Sequence, residues 1–133
     1  MNIAIVAQDS KKELMIQFCT AYLAILNNHV IYATGNTGKK VEEATGLKIQ
    51  KFLTGKQGGE QQIAARVACN EIDLLLFFRE PIAINYANSN DLNLLNFCDM
   101  HNIPVATNIA TAEILIRGLK KGDLEWRNIL NSK

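Results

Sequence analysis

An apolar stretch, Val30 to Ala33, runs directly into Thr34-Gly35-Asn36-Thr37-Gly38, two glycines among three small polar side chains. That combination suits a phosphate. Glycine lets the backbone approach an anion closely, hydroxyls and amides donate hydrogen bonds, and a following helix turns its free N–H groups on the ligand. The same residues also make ordinary turns, so the weight of the run depends on its surroundings. A second run of this kind, Thr54-Gly55-Lys56-Gln57-Gly58-Gly59, ends at Glu60, while Gln8, Asp9 and Lys12 follow the first apolar stretch and Glu80 follows a later one. Spacing alone delivers a site for a small phosphorylated ligand and assigns no base among these carboxylates.

The elements that position these residues alternate in type. Asn2 to Ala7 is a buried strand, followed by a long helix from Ser10 to Leu26 whose residues Leu14, Phe18, Tyr22 and Leu26 recur every four. His29 to Thr34 is a second strand, Gly38 to Ala44 a short helix closed at Gly46, and Lys48 to Leu53 a weaker strand. Glu60 to Asn70 reads as a helix, and Ile72 to Phe78, apolar on both faces, belongs inside a sheet. A helix capped by Ser89 or Asn90, a fifth strand at Ile103 to Thr107, a helix from Thr111 to Leu119 and a docking tail bearing Trp126 complete the chain.

This alternation predicts a single doubly wound α/β domain over residues 1–133, with a five-stranded, mostly parallel sheet and helices on both faces. Ligands of such folds sit at the carboxyl ends of the strands, which gathers Gln8, Asp9, Thr34 to Gly38, Thr54 to Glu60, Glu80 and Thr107-Asn108 on one edge.

The bulk properties narrow the partners. Fourteen basic and 13 acidic residues leave a formal charge of +1 in 133 residues, which argues against nucleic acid. No signal segment and no membrane-spanning run are evident, so the expected location is cytoplasmic. Cys19, Cys69 and Cys98, an odd number without Cys-x-x-Cys pairing, read as reduced core residues. His29 and His101 precede strands, at the wrong ends for this site, and read as structural or surface groups.

Six segments together resemble methylglyoxal synthases: Ile3 to Asp9, Tyr32 to Gly38, Glu43 to Gly46, Gly58-Gly59-Glu60-Gln61-Gln62, Phe77-Phe78-Arg79-Glu80-Pro81 and Ile103-Pro104-Val105-Ala106-Thr107-Asn108. The resemblance runs collinearly from residue 2 to about residue 120. It implies conversion of dihydroxyacetone phosphate to methylglyoxal and inorganic phosphate, without metal or organic cofactor, in a homo-oligomer, a hexamer by analogy. The same domain also serves in larger proteins as a regulatory or nucleotide-handling unit.

Carried over residue by residue, the resemblance assigns the phosphate to Lys12, Thr34, Gly35, Asn36, Thr37, Thr54 and Gly55, with Asn36 standing where the family usually has threonine. It assigns catalysis to Glu60 as base, with Asp9, Glu80 and Gln8 beside it. Five further positions depart from the family pattern. Gln8 replaces a histidine and cannot shuttle a proton, Glu60 and Glu80 each replace an aspartate and add a methylene, and Ala87 and Asn90 stand where the family has a histidine and an aspartate. Simpler roles are also open: Asp9 as a helix cap, Lys12 as a solvated charge, Glu60 as a partner of a helix dipole, Glu80 paired with Arg79. A phosphometabolite-binding or regulatory protein with weak or lost lyase activity is the alternative to the enzyme.

Overall fold

The computed structural model describes residues 1–81 and 89–131. Its sheet has the order β3-β2-β1-β4-β5, built from β1 (Asn2–Ala7), β2 (Val30–Ala33), β3 (Ile49–Lys51), β4 (Leu74–Phe78) and β5 (Val105–Ala106). All four pairings are parallel, so the expectation of a mostly parallel five-stranded sheet holds in stricter form. β1 is central, and Ile3 to Ala7 on it pair with Leu74 to Phe78 on β4.

Strand side chains alternate between two cores, as a period of two requires. Ile3, Ile5, Leu74, Leu76 and Phe78 meet Met15, Phe18 and Cys19 of α1 (Lys12–Ala21), Leu26 of α2 (Leu23–Leu26) and Val41 of α3 (Gly35–Thr45). Ala112, Ile116 and Leu119 of α6 (Ile109–Lys121) join the same core. Ala4, Val6, Leu75 and Phe77 face the other way, onto Ile63, Ala64 and Val67 of α4 (Gly59–Ala68) and Leu94 and Cys98 of α5 (Ser89–Met100). Both faces of the sheet are therefore covered, and β1 and β4 read as continuous apolar runs for that reason.

Several boundaries move. The expected helix from Ser10 to Leu26 is a 3₁₀ turn at Asp9–Lys11, then α1, then α2, because Tyr22 at φ −109°, ψ 24° bends the backbone and brings Leu26 into full burial. The edge strands β3 and β5 are shorter than their apolar runs. Asn108 caps α6 by accepting from the Thr111 N–H at 3.2 Å, starting that helix two residues early. Cys19 and Cys98 are buried as expected, but Cys69 is exposed, since it lies beyond the last buried turn of α4. The tail forms α7 (Trp126–Asn131), and Arg127 rather than Trp126 docks it. That guanidinium donates to Asp73 Oδ1 at 3.1 Å, to Asn70 Oδ1, and to the Asn102 and Ile72 carbonyls.

Candidate functional site

From β1 the chain winds outward through β2 and β3, then returns to the other side of β1 for β4 and β5. The reversal leaves a crevice beyond the carboxyl ends of β1 and β4, the place where a doubly wound sheet takes its ligand. Gln8 and Glu80 close it reciprocally. The Gln8 N–H donates to the Phe78 carbonyl at 3.0 Å, the Glu80 N–H donates to Gln8 Oε1 at 2.6 Å, and the Ser10 N–H donates to Glu80 Oε1 at 3.2 Å. Glu80 therefore does not form the pair with Arg79 that their adjacency suggested. The Arg79 guanidinium lies over the Phe77 ring, 5.8 Å from its centre, with Nε and Nη2 buried and without a hydrogen-bond partner among the described residues.

The glycine run is helix rather than loop: α3 begins at Gly35, not Gly38, directly after the buried Thr34. This sharpens the anion site. Thr34 makes no side-chain cap, the Gly35 N–H donates to the Leu53 carbonyl at 3.0 Å, and the N–H groups of Asn36 and Thr37 have no protein acceptor among the described residues. Helix N-termini present such orphan donors together with the positive end of the helix dipole. A Cβ on Gly35 would lie 3.0 Å from the Phe52 carbonyl oxygen, and one on Gly59 would run into the Leu53 carbonyl. These two glycines allow the α3 start and the Thr54 to Gly59 segment to pack backbone to backbone.

Lys12 stands between the two sides of the crevice. Its ammonium donates to the Ala7 carbonyl at 2.8 Å and to Thr37 Oγ1 at 3.2 Å, and lies 3.7 Å from Asp9 Oδ1. Burial holds its pKa below the ordinary lysine value, Asp9 opposes that shift, and Lys40 adds to it. Only 15% of the Lys12 side chain is exposed, against 87% for Asp9. The position of Lys12 is thus not that of a freely solvated charge. Asp9 spends its carboxylate on Lys12, with no side-chain cap on the turn it starts.

A cavity of about 540 Å³ occupies the crevice, lined by Val6, Ala7, Gln8, Asp9, Lys12, Thr34, Asn36, Thr54, Gly55, Lys56, Glu60 and Glu80. Nine of the eleven site residues expected from the sequence line it. The other two stand behind the wall: Gly35 braces the Thr54 segment, and the buried Thr37 holds Lys12. Glu60, in the first turn of α4, also borders a mostly apolar cavity of about 270 Å³ between α4 and α5, shared with Ala64 and Phe97. Thr107 and Asn108 do not reach the larger cavity; the Thr107 carbonyl accepts from the Arg79 N–H, and Asn108 caps α6. Lys56 lies in the Thr54 to Glu60 stretch expected at this edge and lines the cavity as the only charge between Thr54 and Gly59, although the resemblance assigns it no role.

Ala87 lies outside the described residues, and so does the side chain of Asn90. His29 is at the opposite edge of the sheet, its Nδ1 2.9 Å from the Met1 amino group. Among the described residues no three His, Cys, Asp or Glu side chains are grouped to hold a metal ion, and no helix is long and apolar enough to cross a membrane. The arrangement can bind a dianion at one end, through backbone N–H groups, hydroxyls and an ammonium, and present carboxylates to the rest of the ligand.

Known proteins resemble this chain in sequence and fold. The MGS-like domain family matches residues 14–107. A methylglyoxal synthase of Caldicellulosiruptor saccharolyticus is 54% identical over 134 residues, covering 100% of this chain and 94% of its own. One from Geobacillus thermodenitrificans is 49% identical over 133 residues, covering 100% and 92%. The crystal structure of methylglyoxal synthase from Elizabethkingia anophelis superimposes with a TM-score of 0.78 at 31% identity, covering 86% of this chain and 76% of that one.

Proposed function

The chain belongs to the methylglyoxal synthase family of carbon–oxygen lyases, and we propose that it converts dihydroxyacetone phosphate to methylglyoxal and inorganic phosphate in the crevice between β1 and β4. The observation that carries this reading is one cavity in which Lys12, Thr34, Asn36, Thr54 and Gly55 stand beside Glu60, Asp9, Glu80 and Gln8.

The phosphate sits on the α3 N-terminus, with Asn36 and Thr37 N–H groups and the Lys12 ammonium as charge-assisted donors. Held there, the triose carries its carbonyl and hydroxymethyl carbon toward the carboxylates. Glu60 takes a proton from that carbon, and the electron pair passes to the carbonyl oxygen to give an enediolate. Donors at the crevice stabilise the charge. The enediolate then expels the phosphate: the bond between carbon and the bridging oxygen breaks, that oxygen leaves with the phosphate, and the remaining enol tautomerises to methylglyoxal. Asp9 orients Lys12, while Gln8 and Glu80 fix each other across the strand ends and so position rather than transfer protons.

A second reading has its own support: Gln8 Oε1 and Glu80 Oε1 are committed to backbone N–H groups, which suits a phosphometabolite-binding protein as well as an enzyme. Turnover separates the two. Wild-type protein incubated with dihydroxyacetone phosphate should yield methylglyoxal and phosphate in equal amounts, with Glu60→Gln as control for spontaneous elimination. No rate above that control, with phosphate still raising Tm, makes it a binding protein. We also assign the protein to the cytoplasm and to a homo-oligomer, a hexamer by analogy, which light scattering on the eluted protein tests.

A further inference from the structure

We propose that Lys56 is the second cation of the phosphate site, its ammonium reaching across the cavity mouth to the ligand's dianionic phosphate. This rests on the reading of the cavity as a phosphate site. The cavity wall carries three carboxylates, Asp9, Glu60 and Glu80, against two ammonium groups, Lys12 and Lys56. A dianion brought into that field meets an excess of negative charge, and Lys12 already gives two of its three donors to the Ala7 carbonyl and Thr37, with the Asp9 carboxylate 3.7 Å away. Lys56 has no such commitment: its ammonium makes no hydrogen bond or ion pair among the described residues.

Hydrogen bonds hold the backbone on either side of Lys56. The Thr54 carbonyl accepts from both the Gln57 N–H at 3.0 Å and the Gly59 N–H at 2.9 Å, and the Gly58 N–H donates to the Gly55 carbonyl at 3.3 Å. Gly58 turns at φ +105°, which bends the chain straight into α4. Lys56 therefore sits in a rigid 3₁₀ turn, between the lining residue Gly55 and the helix that presents Glu60. Its four-carbon stem places a charge on a preformed rim, with three donors to match phosphate oxygens.

Calorimetric titration of inorganic phosphate into wild type, Lys56→Gln, Lys56→Arg and Lys12→Ala tests the assignment. Lys56→Gln should bind phosphate about tenfold more weakly at low salt, with the gap narrowing as salt rises. Lys56→Arg should bind close to wild type. Phosphate affinity unchanged in Lys56→Gln but reduced in Lys12→Ala overturns the role of Lys56 alone. Affinity unchanged in both variants overturns the phosphate site and this inference with it. A loss in Lys56→Gln that Lys56→Arg shares equally points to the shape of the turn instead of charge, and also overturns it.

Discussion

Shortening Glu60 by one methylene, as Glu60→Asp, asks whether the start of α4 can move to keep a carboxylate on its substrate. Three contacts say it cannot. The Gly59 N–H donates to the Thr54 carbonyl at 2.9 Å, Gln62 Oε1 accepts from the Leu53 N–H at 2.8 Å, and Gly59 packs so closely on the Leu53 carbonyl that even a Cβ has no room. With the helix start held, the aspartate carboxylate retreats by roughly 1 Å. A misplacement of that size costs about a hundredfold in kcat, or about 2.7 kcal/mol of barrier. Glu60→Gln keeps the length and removes the base, for an expected loss of about 10³- to 10⁴-fold. Methylglyoxal formation followed with a carbonyl reagent gives both numbers, and calorimetry with phosphate should show Glu60→Gln binding no more weakly than wild type, since it neutralises one of the three wall carboxylates. An aspartate variant as fast as the wild type, or faster, would refute the argument that the backbone fixes the carboxylate.

Burial depresses the Lys12 pKa, so phosphate affinity should fall as pH rises through a value below the ordinary 10.5, because only the protonated ammonium favours the anion. Lys12→Arg should remove that fall, and titrations from pH 7 to 10 read it directly. Thr37→Ala with Lys12→Ala should abolish the rise in Tm that phosphate produces; a rise of wild-type size would sink the site assignment. Arg127→Met leaves Asp73 without its partner in a pair whose side chains are 3% and 15% exposed, and should cost about 3 kcal/mol in urea denaturation. A thiol reagent at neutral pH should label Cys69 quickly and leave Cys19 and Cys98 unreacted until unfolding, since burial pushes both of those thiols up to about 12.

Element order was legible because each element buries a whole face and so writes its period into the chain. β1 from Asn2 to Ala7 is recovered residue for residue, and the runs around β4 and α6 are recovered to within two residues at each end. The misplaced start of α3 has a local cause: Gly35 and Asn36 are poor helix formers, and what holds them helical is contact with Phe52, Leu53 and Thr54, some twenty residues away. Cys69 misled for the opposite reason. Its apolar neighbours belong to the buried stripe of α4, while its own position falls off the end of that helix.

By itself the sequence determined the α/β class, the strand ends that must carry the site, and the identities of the groups gathered there. Tertiary structure decided how those groups are committed. The pairing of β1 with β4 sets Gln8 against Glu80 across 72 residues, the burial of Lys12 tunes its proton, and the turn before α4 puts Lys56 on the cavity wall. Arg127 holds the tail by contacts that span up to 57 residues. Local propensity and periodicity act over a few residues, whereas desolvation, charge pairing and backbone contact depend on which distant segments are brought together.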